Sequence, residues 1–118
     1  AGDLMTGKLI SAQKTNLLSE VVKKMKQHNI SQLPVMEKGI VVGLVSETNV
    51  IETVSQGKNV KNLRATEVMD NVPPTVPVET PLRIVTELLR VSPLIVITDK
   101  GKAKGVVTKA DVLNKLAK

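Results

Sequence analysis

Apolar positions along the chain alternate between two periods. Leu18, Val21, Val22 and Met25 recur at i, i+3, i+4 and i+7, which predicts a helix with one buried face. Asn16 or Thr15 is placed to cap its start, and Asn29 suits a left-handed C-cap, with Lys23, Lys24 and Lys26 toward the negative end of the helix dipole. Before it, Leu9 and Ile10 predict a brief strand. After it, Leu33 to Met36 and Ile40 to Val45 are continuous apolar runs split by Glu37-Lys38-Gly39, the pattern of two strands joined by a tight hairpin. At Ser46 the spacing becomes helical again through Val50, Ile51 and Val54, and Ser55-Gln-Gly-Lys-Asn59 ends that segment as a polar loop.

The same pattern then recurs. Leu82, Val85 and Leu89 repeat Leu18, Val21 and Met25 at an offset of 64, while Gly101, Gly105 and Thr108 repeat Gly39, Gly43 and Ser46 at an offset of 62. The second copy is two residues shorter where the first reads Gln-His-Asn-Ile-Ser-Gln-Leu-Pro. The lead-in Asp3-Leu-Met-Thr6 is echoed by Glu67-Val-Met-Asp70. Val72-Pro-Pro-Thr-Val-Pro77 is too rich in proline for a helix and reads as extended, and Thr80-Pro81 predicts a helix start with the hydroxyl as N-cap. Each copy is β-α-β-β-α, so the fold class is α/β (α+β), with copies at 1–60 and 61–118. Half a chain of this length is a marginal folding unit, and the two are expected to share a core.

The strand-to-helix junctions carry the chemistry. Thr108 sits where Val106-Val107 gives way to the helical positions Ala110, Val112, Leu113 and Leu116, and Asp111 lies three residues on, in the same first turn. Ser46 and Asn49 occupy these positions in the first copy. A capping box, in which the two side chains serve the helix-end amides, accounts for either pair without a ligand. The amides that open the helix after Thr108 are also donors for an anion, and Lys109 adds a positive charge beside them.

Composition narrows the functions. Of 118 residues 42% are apolar, yet none is Phe, Tyr or Trp, so the core is Val, Leu, Ile, Met and Ala, with Met5, Met25, Met36 and Met69 as filler. Single-stranded nucleic acid is disfavoured, since its binders stack bases on aromatic rings. With no cysteine and one histidine, His28 at a helix end, the chain lacks disulfides, thiolate metal sites and cysteine nucleophiles. No nucleophile-base pair or metal-ligand cluster assembles, so no enzyme is expected, and a metal site made of carboxylates alone is the one kind left open. The formal charge of +6 comes from scattered lysines, which reads as a solvated surface; a basic patch for phosphate or nucleic acid is the alternative. No apolar run approaches membrane-spanning length and no signal peptide is visible, so a cytoplasmic location is the default. The Ala-Gly-Asp start suggests a piece of a larger parent.

Asp3-Leu-Met-Thr6, Ile30-Ser-Gln-Leu-Pro-Val35 and Gly43-Leu-Val-Ser-Glu-Thr-Asn49, repeated as Glu67-Val-Met-Asp70 and Gly105-Val-Val-Thr-Lys-Ala-Asp111, resemble the tandem cystathionine β-synthase (CBS) domain pair, or Bateman module, as in archaeal regulators. The resemblance covers nearly the whole chain and implies two pseudo-symmetric repeats packed through their sheets as one module. It further implies a regulatory role without a required cofactor, binding S-adenosylmethionine, methylthioadenosine, AMP, ADP or ATP between the repeats. The better site would join Ile10, Ile30, Leu33 and Pro34 to Val106, Thr108, Lys109 and Asp111. A weaker one would join Leu44, Ser46 and Asn49 to Val76 and Leu94, because an ionised Asp111 accepts both ribose hydroxyls whereas Asn49 offers one neutral acceptor oxygen. Neutral Pro93 and Leu94, where AMP binders of the family often carry a basic residue, favour a ligand without a polyphosphate. A homodimer and a fused or associated effector, such as a DNA-binding domain, complete the expectation. A dimerisation scaffold with vestigial sites is the competing one.

Overall fold

The structure, a computed structural model, describes residue 2 and residues 9–117. The chain divides into two compact units, one of residues 10–72 and one of residues 73–118 together with 1–9. Each is built on the predicted plan, and the lead-in at 3–6 lies outside the described residues.

The Ile10–Val72 unit holds β1 (Ala12–Gln13), α1 (Leu18–His28), β2 (Gln32–Glu37), β3 (Ile40–Ser46), α2 (Glu47–Ser55), a 3-10 turn (Val60–Asn62) and α3 (Ala65–Val68). The expected opening strand at Leu9-Ile10 forms slightly later, as β1 parallel to β2, with β2 antiparallel to β3 in the order β1-β2-β3. The N-cap of α1 is Leu17 rather than Asn16 or Thr15. Asn16 Oδ1 instead accepts from Gln13 N at 2.9 Å, and Glu20 Oε1 accepts from Leu17 N at 2.8 Å, which satisfies the helix entry from within its own first turn. Asn29 closes the helix in the left-handed conformation, as expected. Leu18, Val21 and Met25 are buried against Leu33, Val35 and Val45 of the sheet, and His28 is exposed.

The connector after α2 is stitched back onto this unit. Leu18 N donates to Leu63 O at 2.8 Å, Ala65 N to Asn16 O at 2.8 Å and Arg64 Nη1 to Thr15 O at 2.8 Å, while Val60 and Leu63 pack on the core. Leu18 is fully buried, whereas Leu82, expected at the equivalent core position, is 40% exposed.

The second unit contains β4 (Thr75–Pro77), α4 (Leu82–Leu89), β5 (Leu94–Asp99), β6 (Lys102–Thr108) and α5 (Lys109–Leu116). β4 is parallel to β5 and β5 antiparallel to β6, repeating the first sheet. α4 starts one residue later than predicted, with Pro81 as N-cap in extended backbone (φ −62°, ψ 148°). Its core is Val85, Leu89, Ile95, Ile97 and Val107. The helical spacing of α5 is correct but its apolar face is not buried: Val112 is half-buried, and Leu113 and Leu116 are 65% and 72% exposed. No helix among the described residues is long and apolar enough to cross a membrane.

Both hairpins turn through two left-handed residues, Lys38-Gly39 (φ 50°, 81°) and Lys100-Gly101 (φ 53°, 81°). Two residues with positive φ match the twist of the strands, but a lysine in that region brings its Cβ too close to the following carbonyl oxygen, a conformation that asparagine tolerates better. Lys38→Asn and Lys100→Asn are each expected to raise unfolding stability by about 0.5 to 1 kcal/mol. Urea unfolding followed by far-UV circular dichroism measures this, and a lowered midpoint for either variant would contradict it.

Candidate functional site

Each antiparallel ladder ends at a polar junction. Gln32 pairs with Ser46 and Leu94 with Thr108, so the residue that leaves the strand is fixed in register before the helix begins. Both ladders carry a one-residue bulge near the junction glycine, at Val35/Met36 opposite Gly43 and Val41, and at Ile97/Thr98 opposite Gly105 and Ala103. The junction residues thus arise from the same backbone geometry twice, with different side chains.

At the second junction, Asp111 Oδ2 accepts from Thr108 N at 2.8 Å and from Thr108 Oγ1 at 3.2 Å. Both residues are half-buried. All of the carboxylate's hydrogen bonds fall on one oxygen, and Oδ1 has no partner among the described residues. Exposed Lys109 follows at the helix start. This leaves a carboxylate oxygen beside the first turn of a helix and an adjacent cation.

At the first junction both polar atoms of the Asn49 side chain are engaged. Asn49 Oδ1 accepts from Ser46 N at 2.8 Å and from Ser46 Oγ at 3.1 Å, and Asn49 N donates to Ser46 Oγ at 3.2 Å. Asn49 Nδ2 donates to Asp70 Oδ2 at 3.0 Å. Asp70 is also paired through its backbone with Leu44 on the outer edge of β3, N to O at 2.8 Å and O from N at 3.2 Å. The chain can come this close because residue 43 is glycine: a Cβ there would overlap Met69 Sδ and stand 2.9 Å from Asp70 O. Sequence reading passed over Asp70. Its signal was the echoed lead-in, where Asp70 stands in place of Thr6, alongside Asn49 in place of Asp111.

The remaining expected residues are distributed between the two units. In the Ile10–Val72 unit Leu33 is a fully buried core residue and Pro34 is buried, while Ile10 and Ile30 lie half-buried at the margin of that core. Pro34 faces Leu44 across the ladder, a residue assigned to the other expected site. In the second unit Leu94 is buried opposite Thr108, Val106 is half-buried opposite Val96, and Val76 packs on the core. Each unit therefore brings together residues from both expected sites. No group of three or more acidic, histidine or cysteine side chains able to hold a metal occurs among the described residues.

Comparison with known proteins gives this repeated unit its family. The model of the CBS domain matches residues 1–56 and again 65–118, so the chain belongs to the CBS domain family as a tandem pair. It is 29% identical over 120 residues to protein MK0525 of Methanopyrus kandleri, with 95% of this chain aligned. The chain spans 60% of that relative's length. The crystal structure of the CBS-pair protein CBSX2 from Arabidopsis thaliana superposes with a TM-score of 0.84 at 20% identity, covering 98% of this chain and 92% of that one. Protein MJ1225 of Methanocaldococcus jannaschii gives 0.83 at 24% identity, covering 97% of this chain and 46% of that one. At these identities the structural matches establish the fold. CBS pairs are typically regulatory modules and usually non-catalytic.

Two substitutions test the first junction. Gly43→Ala is expected to destabilise the protein by about 1 to 3 kcal/mol by pushing Met69 and Asp70 off the β3 edge. Asn49→Asp sets a second carboxylate against Asp70 and is expected to cost about 1 kcal/mol at low ionic strength, partly regained in high salt. Denaturant unfolding at two salt concentrations reads both effects. A salt-independent loss for Asn49→Asp would mean that the asparagine acts only as a cap.

Proposed function

We propose that this CBS pair senses an adenosine-containing ligand, with the Thr108–Asp111 junction holding the ribose and adjoining groups. The observation that carries this reading is the contrast between the junctions. Asp111 keeps a carboxylate oxygen outside its capping bonds, whereas every polar group of the Asn49 side chain is engaged by Ser46 or Asp70. A ribose diol presents two hydroxyl donors, and hydrogen bonds from them to an ionised carboxylate contribute about 1.5 to 3 kcal/mol each. The helix-opening amides after Thr108 and the Lys109 ammonium favour an electron-rich or anionic group next to the ribose. Val106 offers an aliphatic surface at this junction, and Ile10, Ile30, Leu33 and Pro34 are the residues the family pattern assigns to the adenine.

The ligand class is S-adenosylmethionine or methylthioadenosine ahead of AMP, ADP or ATP. Neutral Pro93 and Leu94 and a single nearby lysine supply little charge for a polyphosphate. The Ser46–Asn49 junction, together with Leu44, Val76 and Leu94, is the weaker site. The protein works as a homodimer, since Ile51, Val54, Leu113 and Leu116 are exposed apolar residues on helices, and it passes its ligand state to a fused or associated effector, such as a transcription regulator's DNA-binding domain. Lysines spread over both units give no concentrated nucleic-acid surface of its own. The engagement of Asn49 by Ser46 and Asp70 favours one competing reading, a dimerisation scaffold whose sites no longer bind.

Asp111→Asn separates the two readings without losing the cap, because Asn49 already makes the equivalent bonds at 2.8 and 3.1 Å. Calorimetric unfolding of the parent is expected to shift upward with one of the adenosyl ligands, by about 2.7 kcal/mol at a hundred times its dissociation constant. Asp111→Asn is expected to unfold within about 1 kcal/mol of the parent, the scale of one helix-dipole charge, and to lose most of the ligand shift. No shift for the parent with any of the five ligands leaves the scaffold reading in its place.

A further inference from the structure

Each unit keeps one aspartate at the echoed pair of positions, but not at the same one. The unit that ends the chain contains Thr6 and Asp111, and the Ile10–Val72 unit contains Asp70 and Asn49. In the Ile10–Val72 unit the carboxylate has thus moved off the helix and onto the segment at 65–72. That segment is held in place without it. Asp70 is bonded through its backbone to Leu44 in both directions, Met69 fills the notch at Gly43, and Val68 and Met69 pack on the core. The Asp70 side chain accepts from Asn49 Nδ2 through Oδ2 at 3.0 Å, and its Oδ1 has no partner among the described residues. Ser46 sets the direction of that bond. Its backbone N–H can only donate, so Asn49 Oδ1 faces it at 2.8 Å and Nδ2 is left for Asp70. Asp111 is in the same state as Asp70, with Oδ2 engaged and Oδ1 outside the cap.

We propose that Asp70 is the ribose acceptor of the first junction and that Asn49 is its positioning residue. This rests on the adenosyl-ligand reading above and adds the residue by which the weaker site holds its ligand. Three residues that the family pattern assigns there converge on Asp70: Leu44 through two backbone bonds, Asn49 directly, and Ser46 through Asn49. An ionised carboxylate with an oxygen to spare accepts ribose hydroxyls, whereas the one acceptor oxygen of Asn49 is already shared by two donors of Ser46. Asp70 is exposed and Asp111 half-buried, so water screens Asp70 more and its junction stays the weaker of the two. Charge narrows the ligand. Glu47 opens α2 at the position where Lys109 opens α5, so an acid stands in place of a base and, with Asp70, opposes a phosphate. The class that fits is an uncharged or cationic adenosyl compound, methylthioadenosine or S-adenosylmethionine, rather than AMP.

Isothermal titration with methylthioadenosine tests the assignment. The parent protein is expected to bind in two classes, one tighter than the other. Asp70→Asn keeps an acceptor for Asn49 Nδ2 and removes the charge; it is expected to weaken the weaker class about tenfold and to leave the tighter one unchanged. Asp111→Asn is expected to do the reverse. An analogue lacking the ribose 2′-hydroxyl supplies a readout that a purely structural role for Asp70 would not move. The parent is expected to prefer the intact ribose at both sites, and Asp70→Asn to lose that preference at the weaker site alone. A weaker class that Asp70→Asn leaves unchanged or tightens, or a parent whose single class disappears with Asp111→Asn, overturns the role of Asp70 and leaves the sensor reading standing. A parent that binds none of the adenosyl ligands overturns both.

Discussion

An antiparallel ladder of six residue pairs in each unit sets the position of everything else. Its inner strands, β2 and β5, are almost wholly apolar and buried, so a slip in register would turn core side chains outward and is strongly opposed. With the register fixed at the hairpin turn, the bulge falls beside Gly43 or Gly105, and the strand ends at Ser46 or Thr108 with a helix starting on the next residue. The polar junction is therefore held at the end of a rigid element and does not depend on a mobile loop. Side chains placed in this way are positioned more precisely than side chains on loops.

Within that frame the two copies have diverged in opposite directions. In the Ile10–Val72 unit, residues 65–72 fold onto β3, and Asn49, Ser46 and Asp70 satisfy one another. The result is a hydrogen-bond network that ties the helix start to the segment along the β3 edge. In the second unit Asp111 holds the same capping geometry through one oxygen and leaves the other outside it. Replacing an amide by a carboxylate at one position thus keeps the helix cap and leaves one oxygen outside it. The helix starts diverge as well, since Glu47 and Lys109 occupy one position in the fold and carry opposite charge.

Much of this was legible in the sequence because the repeat compares the chain with itself. Both hairpins, the four long helices, the Asn29 cap and the Ser46 and Thr108 junctions all follow from period, turn chemistry and the two offsets. What sequence alone misplaced were contacts that depend on a third segment. Asn16 looked like a helix cap, but its side chain closes the turn after β1. Leu82 and Leu113 have the spacing of core residues and are exposed, since spacing reports which side of a helix is apolar but not whether anything covers it. Asp70 was overlooked because its role requires Gly43 to be next to Met69, a proximity set by tertiary structure across more than twenty residues.

The connector and the segment at 65–72 also separate two kinds of boundary. The repeat in the sequence divides near residue 60, but the contacts divide at Val72, after the chain has laid a bridge along the open edge of β3. A gene fragment trimmed at the repeat boundary would encode a sheet whose outer strand has lost that cover at Gly43 and Leu44, along with the network around Asn49. Bare strand edges template pairing with other chains. Grafting the Ile10–Val72 unit onto another host therefore calls for a piece that ends after residue 72, so that it carries with it the residues that shield its own edge.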